Sequence, residues 1–199
     1  MVLAGCAGPK TYEIRGEAAP VINRDASGKP LSVVVRVYQL KDAGEFSKLT
    51  FDNLASGRPE SELLGQDLLE KNEVILVPGA KYAGTEKIKE EAKHVGVVAF
   101  FRQPDPHYWR YLVDADKVRS EGLTFRVQDC YLLLTNLKPS PIPGQPINAK
   151  PACGTPNYKP VNAAQASGSE PASQNHQHSQ KRSLPAKAAQ IEQLLSNKP

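Results

Sequence analysis

The sequence predicts an all-β, mainly antiparallel protein: a β-sandwich with a small helical insert and a largely disordered C-terminal extension. Three observations lead to this fold class. Some seven runs of strand length lie at short spacing between residues 11 and 137. Within that range, helical spacing of apolar residues occurs only at 42–71, and ten of the 17 prolines follow residue 137. Many short strands with one helical stretch are typical of an antiparallel sandwich.

The first two strands are predicted from their side-chain patterns. The stretch TYEIRGEAAPVIN (11–23) alternates with interruptions, and LSVVVRVYQL (31–40) contains a β-branched run with Val33, Val35 and Val37 on one face. Successive side chains of a strand point to opposite faces, so one face of each strand is assigned to the core. We expect the sandwich interior to be lined by Val33, Val35, Val97, Ala99 and Phe101.

Helices are expected only between residues 42 and 71, where DAGEFSKLTFDNLASG and ESELLGQDLL place Phe and Leu residues at helical steps. The later strands are predicted as EVILVPG (73–79), a weaker strand at 82–89, HVGVVAFFR (94–102), WRYLVD (109–114) and LTFRVQDCYLLLT (123–135). The run HVGVVAFFR is apolar throughout and is expected to be buried on both faces. Trp109, the only tryptophan, is expected to be a core anchor.

Residues 138–199 form the predicted extension. It opens with KPSPIPGQPINAKP and continues through a polar stretch with few apolar residues. Such a segment buries too little surface to offset its ordering entropy, so 138–183 is expected to be mostly disordered. The stretch PAKAAQIEQLLSN predicts a short helix at 185–196, alone or on a partner, and transient helicity without a role is the alternative.

The charge distribution argues against a nucleic-acid partner. Residues 1–137 carry 18 Lys/Arg against 19 Asp/Glu, whereas residues 138–199 carry 7 against 2. The predicted fold therefore has mixed charge, with no basic stripe for a phosphate backbone. The basic tail is most simply a solvated segment.

The opening stretch LAGC, residues 3–6, matches the end of a bacterial lipoprotein signal peptide: a Leu, two small residues and a cysteine. Small side chains before the cysteine allow the backbone to enter the active site of the signal peptidase, and the Cys6 thiol would carry diacylglycerol. Residues 1–10 are thus predicted to be a lipobox and a tether, in a chain trimmed just upstream. Ala7 stands where Asp commonly retains lipoproteins at the inner membrane, which favours the outer membrane. A chance tetrapeptide is the alternative.

The cysteine count fits this interpretation. If Cys6 is lipidated, Cys130 and Cys153 remain as one pair. We expect them to form a disulfide in an oxidising periplasm, pinning the start of the extension to the sandwich. The loop that it closes would be worth about 3 kcal/mol in the chain-entropy model. Two unpaired thiols, with Cys130 a small core residue, are the alternative.

The sequence offers little chemistry, and no catalytic residue, metal, cofactor or small-molecule substrate is predicted. His107 lies two residues after Asp105, but no nucleophile accompanies the pair. His176 and His178 lie in the polar tail without two further zinc ligands nearby. We therefore expect a protein that is not an enzyme.

One segment has the composition of a recognition loop. NRDASGKP follows the first predicted strand, and its residue types suit a protruding hairpin that offers charged side chains and backbone donors. A connecting loop without a partner is the alternative. The candidate binding residues are Asn23, Arg24, Asp25, Ala26, Ser27, Gly28 and Lys29.

Taken together, residues 6–137 resemble the TssJ family, the outer-membrane lipoproteins of type VI secretion systems. The resemblance rests on LAGC, VVVRVYQLKDAGEF, LGQDLL before LVPG, and VGVVAFFRQPDPHYWR, in the family's order and spacing. It implies a transthyretin-like sandwich that is tethered by its acylated cysteine. It also implies binding to the periplasmic C-terminal region of the inner-membrane protein TssM, and through it an indirect link to TssL.

In that family the loop between the first two strands is a main TssM contact, which maps by position onto residues 23–29. The resemblance does not explain residues 138–199 or the cysteine pair. The predicted function is a non-enzymatic adaptor that joins the secretion complex to the outer membrane. The alternative is a periplasmic sandwich lipoprotein that binds a small ligand or a pilus-like subunit, which predicts an apolar pocket or an open edge strand.

Overall fold

The computed structural model describes residues 10–154, which form two four-stranded β-sheets and several short helices. This architecture confirms the predicted all-β sandwich with a small helical insert. The strands are β1 Thr11–Ile22, β2 Val33–Leu40, β3 Leu68–Leu76, β4 Lys81–Lys87, β5 His94–Phe100, β6 Arg110–Asp114, β7 Leu123–Asp129 and β8 Tyr131–Leu134. The helices are α1 Gly44–Lys48, α2 Phe51–Ala55, α3 Glu60–Leu64 and α4 Ala115–Glu121, with a 3₁₀ turn at Gly65–Asp67.

The two sheets have the strand orders β4-β1-β7-β8 and β3-β2-β5-β6. All neighbouring strands are antiparallel except β1 and β7, which run parallel. The inward faces carry the expected alternation: Val33, Val35 and Val37 are at most 1% exposed. The expected interior residues Val97, Ala99 and Phe101 are also buried, and so is Trp109. The apolar run of β5 is buried on both faces because the helical insert covers its outer side.

The helical insert is seated on a glycine. The ring of Phe46, which is fully buried, lies so close to Gly96 that a Cβ there would meet it at 2.4 Å. Arg110 donates hydrogen bonds to the carbonyls of Phe46 (2.6 Å) and Ser47 (3.2 Å). These carbonyls belong to the last turn of α1, where a cation is favourable. The insert is therefore fixed to β5 and β6 by packing and by one buried cation.

Three local predictions are wrong. Leu68 and Leu69, assigned to the insert, begin β3, because pairing of Leu40 with Leu68 extends the sheet ladder. Helices are not confined to 42–71: α4 follows Asp114, whose side chain caps it by accepting from two backbone N–H groups. Residues 123–135 are a hairpin rather than one strand, and Cys130 lies in the turn between β7 and β8.

Residues 138–154, predicted to begin the disordered extension, instead lie against the sandwich and are called the strap. The backbone N–H of Ser140 donates to the carbonyl of Leu112 on the edge strand β6, and Ile142 is buried. Tyr108 holds the strap further along, donating to the carbonyl of Pro146 and accepting from the N–H of Ala149. The prolines of the strap remove donors but still allow this edge contact. The predicted helix at 185–196 lies outside the described residues.

Candidate functional site

Four connections lie at one end of the sandwich, which is called the loop end. They are the β1–β2 loop (23–32), the β3–β4 turn (77–80), the β5–β6 loop (101–109) and the β7–β8 turn at Cys130. Residue 10 enters β1 at the opposite end. At about 3.3 Å per residue, the twelve residues of β1 separate the two ends by about 40 Å. The predicted recognition loop is therefore at the end far from residue 10, where the described part of the chain begins.

Asn23 fixes the base of the β1–β2 loop. Its backbone has a φ of 47°, a left-handed conformation that Asn tolerates better than most residues. Its side-chain amide donates to the carbonyl of Ser32 (2.5 Å) and accepts from the N–H of Arg102 (2.7 Å). Its own N–H donates to the carbonyl of Asp129 (2.6 Å). Asn23 is 7% exposed and thus shapes the loop rather than forming its surface.

Arg24 is held against the neighbouring turn. Its Nε donates to Oδ1 of Asp129 at 2.7 Å and its Nη2 donates to Oδ2 at 2.5 Å, a two-pronged ion pair. The Arg24 side chain is only 19% exposed, so solvent screens this pair less than an open surface pair. The same guanidinium lies 3.4 Å from the carbonyl of Gly154. Arg24 therefore joins three separate parts of the chain.

Asp25 closes the tip of the loop. Its Oδ1 accepts from the Ser27 N–H (2.8 Å), the Ser27 hydroxyl (2.6 Å) and the Lys29 N–H (3.0 Å). These hydrogen bonds, that of the Ser27 hydroxyl first, lower the pKa of Asp25 below its ordinary value. Gly28 has a φ of 84°, which the tight turn requires and which glycine adopts without strain. The tip is thus an internally hydrogen-bonded turn.

Only part of the predicted loop faces solvent. Ala26, Ser27 and Lys29 are exposed, whereas Arg24 and Asp25 are half-buried and engaged with the protein itself. The expectation that the loop offers three charged side chains is therefore corrected: Lys29 is the one that is exposed. The carboxylate of Asp25 and the guanidinium of Arg24 serve to hold the turn in shape.

A disulfide joins Cys130 and Cys153 across 23 residues, with their Cα atoms 5.6 Å apart. It brings the last described residues of the strap to the loop end. The carbonyl of Cys130 accepts from the N–H of Asp105 (2.9 Å), and Oδ2 of Asp105 accepts from the N–H of Ala152 (2.6 Å). The strap, the β5–β6 loop and the β7–β8 turn are thus connected at this end.

Several apolar side chains at the loop end are exposed, and the sequence analysis did not identify them as surface residues. Val21 is 48% exposed near the end of β1, and Val77 is 51% exposed directly after β3. Ile75, on the same parity as Val77, is 63% exposed and pairs with Val34 on β2. The sequence EVILVPG could have indicated this exposure. In a strand that buries Val74 and Leu76, the intervening side chains of Ile75 and Val77 point to the opposite, outer face.

The polar side chains of Asp105 and Arg110 are engaged in hydrogen bonds with the backbone of the protein itself. Asp105 is 2% exposed, and its Oδ1 accepts from the backbone N–H groups of His107 and Tyr108 rather than from an imidazole. Burial lowers the pKa of Arg110 to about 10, and its guanidinium lies 4.7 Å from the Trp109 ring. The Arg110 guanidinium donates to backbone carbonyls of the insert. Residues 10–154 contain no cluster of His, Cys, Asp and Glu that could hold a metal ion.

Two open depressions lie on the described surface. One, of about 380 Å³, lies on the outer face of the first sheet, where Arg126 is paired with Glu17 at 3.1 Å. The other, of about 280 Å³, lies between the insert and the β5–β6 loop and is lined in part by Phe51 and Trp109. No helix within residues 10–154 is long and apolar enough to span a membrane.

Comparison with known proteins identifies relatives of this fold. Residues 10–130 match the family described as "Type VI secretion lipoprotein, VasD, EvfM, TssJ". The match begins after Cys6, which lies outside the described residues, and ends at Cys130. No match was found among curated proteins.

Solved structures agree with this match. A chain in a structure described as "Type VI membrane complex" is 34% identical over 64% of this chain and 98% of that chain, with a TM-score of 0.58. A chain in "T6SS protein TssM C-terminal domain (869-1107) from EAEC" is 32% identical over 64% and 99%, with a TM-score of 0.56. The T6SS lipoprotein TssJ1 from Pseudomonas aeruginosa is 26% identical over 67% and 99%, with a TM-score of 0.55.

Proposed function

The chain belongs to the type VI secretion lipoprotein family, and from that premise we propose that it is a non-enzymatic adaptor of the secretion membrane complex. Its Cys6 carries the lipid that anchors it in the outer membrane, facing the periplasm. Its loop end binds the periplasmic C-terminal region of TssM and so connects the adaptor indirectly to TssL. The observation that carries this proposal is the pre-shaped β1–β2 loop, with Ala26, Ser27 and Lys29 exposed at its tip.

The relatives support the choice of partner. One similar chain comes from a structure described by the TssM C-terminal domain. That chain aligns over 99% of its length with 64% of these 199 residues, so it is shorter than the domain range 869–1107. A lipoprotein-like chain and the TssM domain in one structure would account for this description. The second relative is described as a type VI membrane complex, which agrees with an adaptor role.

The geometry supports a two-ended adaptor. Residue 10 and the loop end lie at opposite ends of β1, about 40 Å apart at 3.3 Å per residue. Between Cys6 and residue 10 the chain can span at most about 14 Å. A lipid on Cys6 therefore keeps residue 10 close to the membrane surface, while the loop end can lie up to about 40 Å farther from it. Three acyl chains, at about 0.8 kcal/mol per buried CH₂, make such an anchor effectively permanent.

The loop end has the composition of a modest protein interface. The tip supplies one exposed cation, Lys29, and backbone groups held in a fixed turn. Val21 and Val77 add exposed apolar surface at the same end. A pre-ordered loop loses little entropy on binding, so a small contact area can still give useful affinity. Confinement to a membrane surface also raises the effective concentration near the partner.

Titration calorimetry of the full chain with the purified periplasmic C-terminal region of TssM tests this function. Lys29→Glu is expected to weaken binding at least tenfold, because it reverses the exposed charge of the tip. Lys89→Glu, an exposed position at the opposite end, is the matched control and should bind like the unmodified chain. Equal affinity of both variants would exclude the loop as the site. No binding by the unmodified chain would exclude TssM as the partner.

A further inference from the structure

The two residues that contact the Arg24 side chain are each next in sequence to one cysteine of the disulfide. Asp129, which forms the two-pronged ion pair, immediately precedes Cys130. Gly154, whose carbonyl lies 3.4 Å from the same guanidinium, immediately follows Cys153. Because Cys130 and Cys153 are joined, the disulfide sets the distance between the two groups that Arg24 contacts.

The other side of the loop base is held through the β5–β6 loop. The N–H of Arg102 donates to Oδ1 of Asn23 at 2.7 Å. That loop in turn contacts the strap, because Asp105 accepts from the N–H of Ala152. Gln145 of the strap donates to the carbonyl of His107 at 2.7 Å. Asn23 and Arg24 are thus both held by elements that the strap connects.

The strap has a second attachment that is independent of the disulfide. Ser140 bonds to β6, and Ile142 is 3% exposed, so the first half of the strap is seated by burial and a backbone contact. Loss of the disulfide would therefore free the segment near Cys153 without detaching the whole strap. Its effect would be concentrated at the loop end.

We infer that the strap and its Cys130–Cys153 disulfide brace the TssM-binding loop, with Asp129 as a positioning residue that acts through Arg24. This inference rests on the proposed function. The brace holds the tip in its binding-competent shape before the partner arrives. Without it, binding must also order the loop, and that cost reduces the affinity. The strap lies beyond the family match, which ends at residue 130.

The test compares three variants of the full chain. Cys130→Ser/Cys153→Ser removes the bond, and Asp129→Asn weakens the ion pair while keeping its size. Val118→Ala, a fully buried position in α4 at the opposite end, is the control for general destabilisation. Affinity for the TssM region is measured by calorimetry, and hydrogen exchange of the Ser27 and Lys29 amides is measured in the free chain.

The double-serine variant is expected to bind at least tenfold more weakly and to exchange both amides at least tenfold faster. Asp129→Asn should change both quantities in the same direction by a smaller factor, and Val118→Ala should change neither by more than twofold. Exchange rates and affinity within twofold of the unmodified chain in the double-serine variant would overturn the inference. If the unmodified chain does not bind TssM, the proposed function fails, while the exchange rates still test the brace.

Discussion

Asn23 is the residue on which the shape of the β1–β2 loop most depends, and its replacement by alanine is expected to be costly. The change removes the hydrogen bond to the carbonyl of Ser32 and the one from the N–H of Arg102. At about 1 kcal/mol net each, the two account for about 2 kcal/mol. An alanine held at a φ of 47° adds about 1 kcal/mol of backbone strain. The expected loss in the free energy of unfolding is therefore about 3 kcal/mol.

Asn23→Gly is the matched comparison. Glycine adopts the left-handed backbone without strain but, like alanine, loses both side-chain hydrogen bonds. Its expected cost is about 2 kcal/mol. Urea unfolding of both variants, followed by circular dichroism, measures the difference. Equal losses in the free energy of unfolding for the two variants, or a loss below about 1 kcal/mol for alanine, would refute the conclusion that Asn23 fixes the base of the loop.

Three further predictions concern packing, titration and anchoring. Gly96→Ala drives a methyl group into the Phe46 ring and should cost about 1–3 kcal/mol in urea unfolding, whereas a neutral effect would contradict the close packing. The pKa of Glu60 lies below its ordinary value. Burial raises this pKa, but the hydrogen bond from the Glu60 backbone N–H and the nearby Arg36 cation lower it by more. The stabilisation from ionised Glu60 is present above the ordinary glutamate pKa and is lost as the pH falls through the lowered pKa of the folded state, so the stability deficit of Glu60→Gln at pH 7 should shrink steadily as the pH is lowered. Cys6→Ser should leave the unfolding curve unchanged but release the protein from the membrane fraction, and continued membrane fractionation would contradict the anchor.

The sandwich was predictable because its strands carry strong local patterns. β2 alternates valines with more polar residues, and β5 is apolar throughout, so burial on one or both faces follows directly. The helix α4 also had local signals, since Asp114 precedes it and Gly122 follows it. The parallel pairing of β1 with β7 had none, because it joins residues more than one hundred positions apart.

The position of the β1–β2 loop was predictable from the sequence, but its internal contacts were not. Turn-forming residues located the loop, yet nothing local indicated that Arg24 pairs with Asp129, 105 residues away. The strap was mispredicted for a similar reason. Its composition is that of a disordered segment, and its order comes largely from contacts with β6 and Tyr108 that the segment itself does not encode.

The central claim is that the loop end, and not the lipid-anchored end, contacts TssM. A photoreactive amino acid placed at Ala26, and in a separate strain at Glu91, tests this in intact cells that make the complete gene product. Both positions are exposed, one at the loop end and one at the opposite end. We expect irradiation to cross-link TssM to the protein substituted at Ala26 but not to the one substituted at Glu91. Cross-linking from Glu91 alone would contradict the proposed orientation.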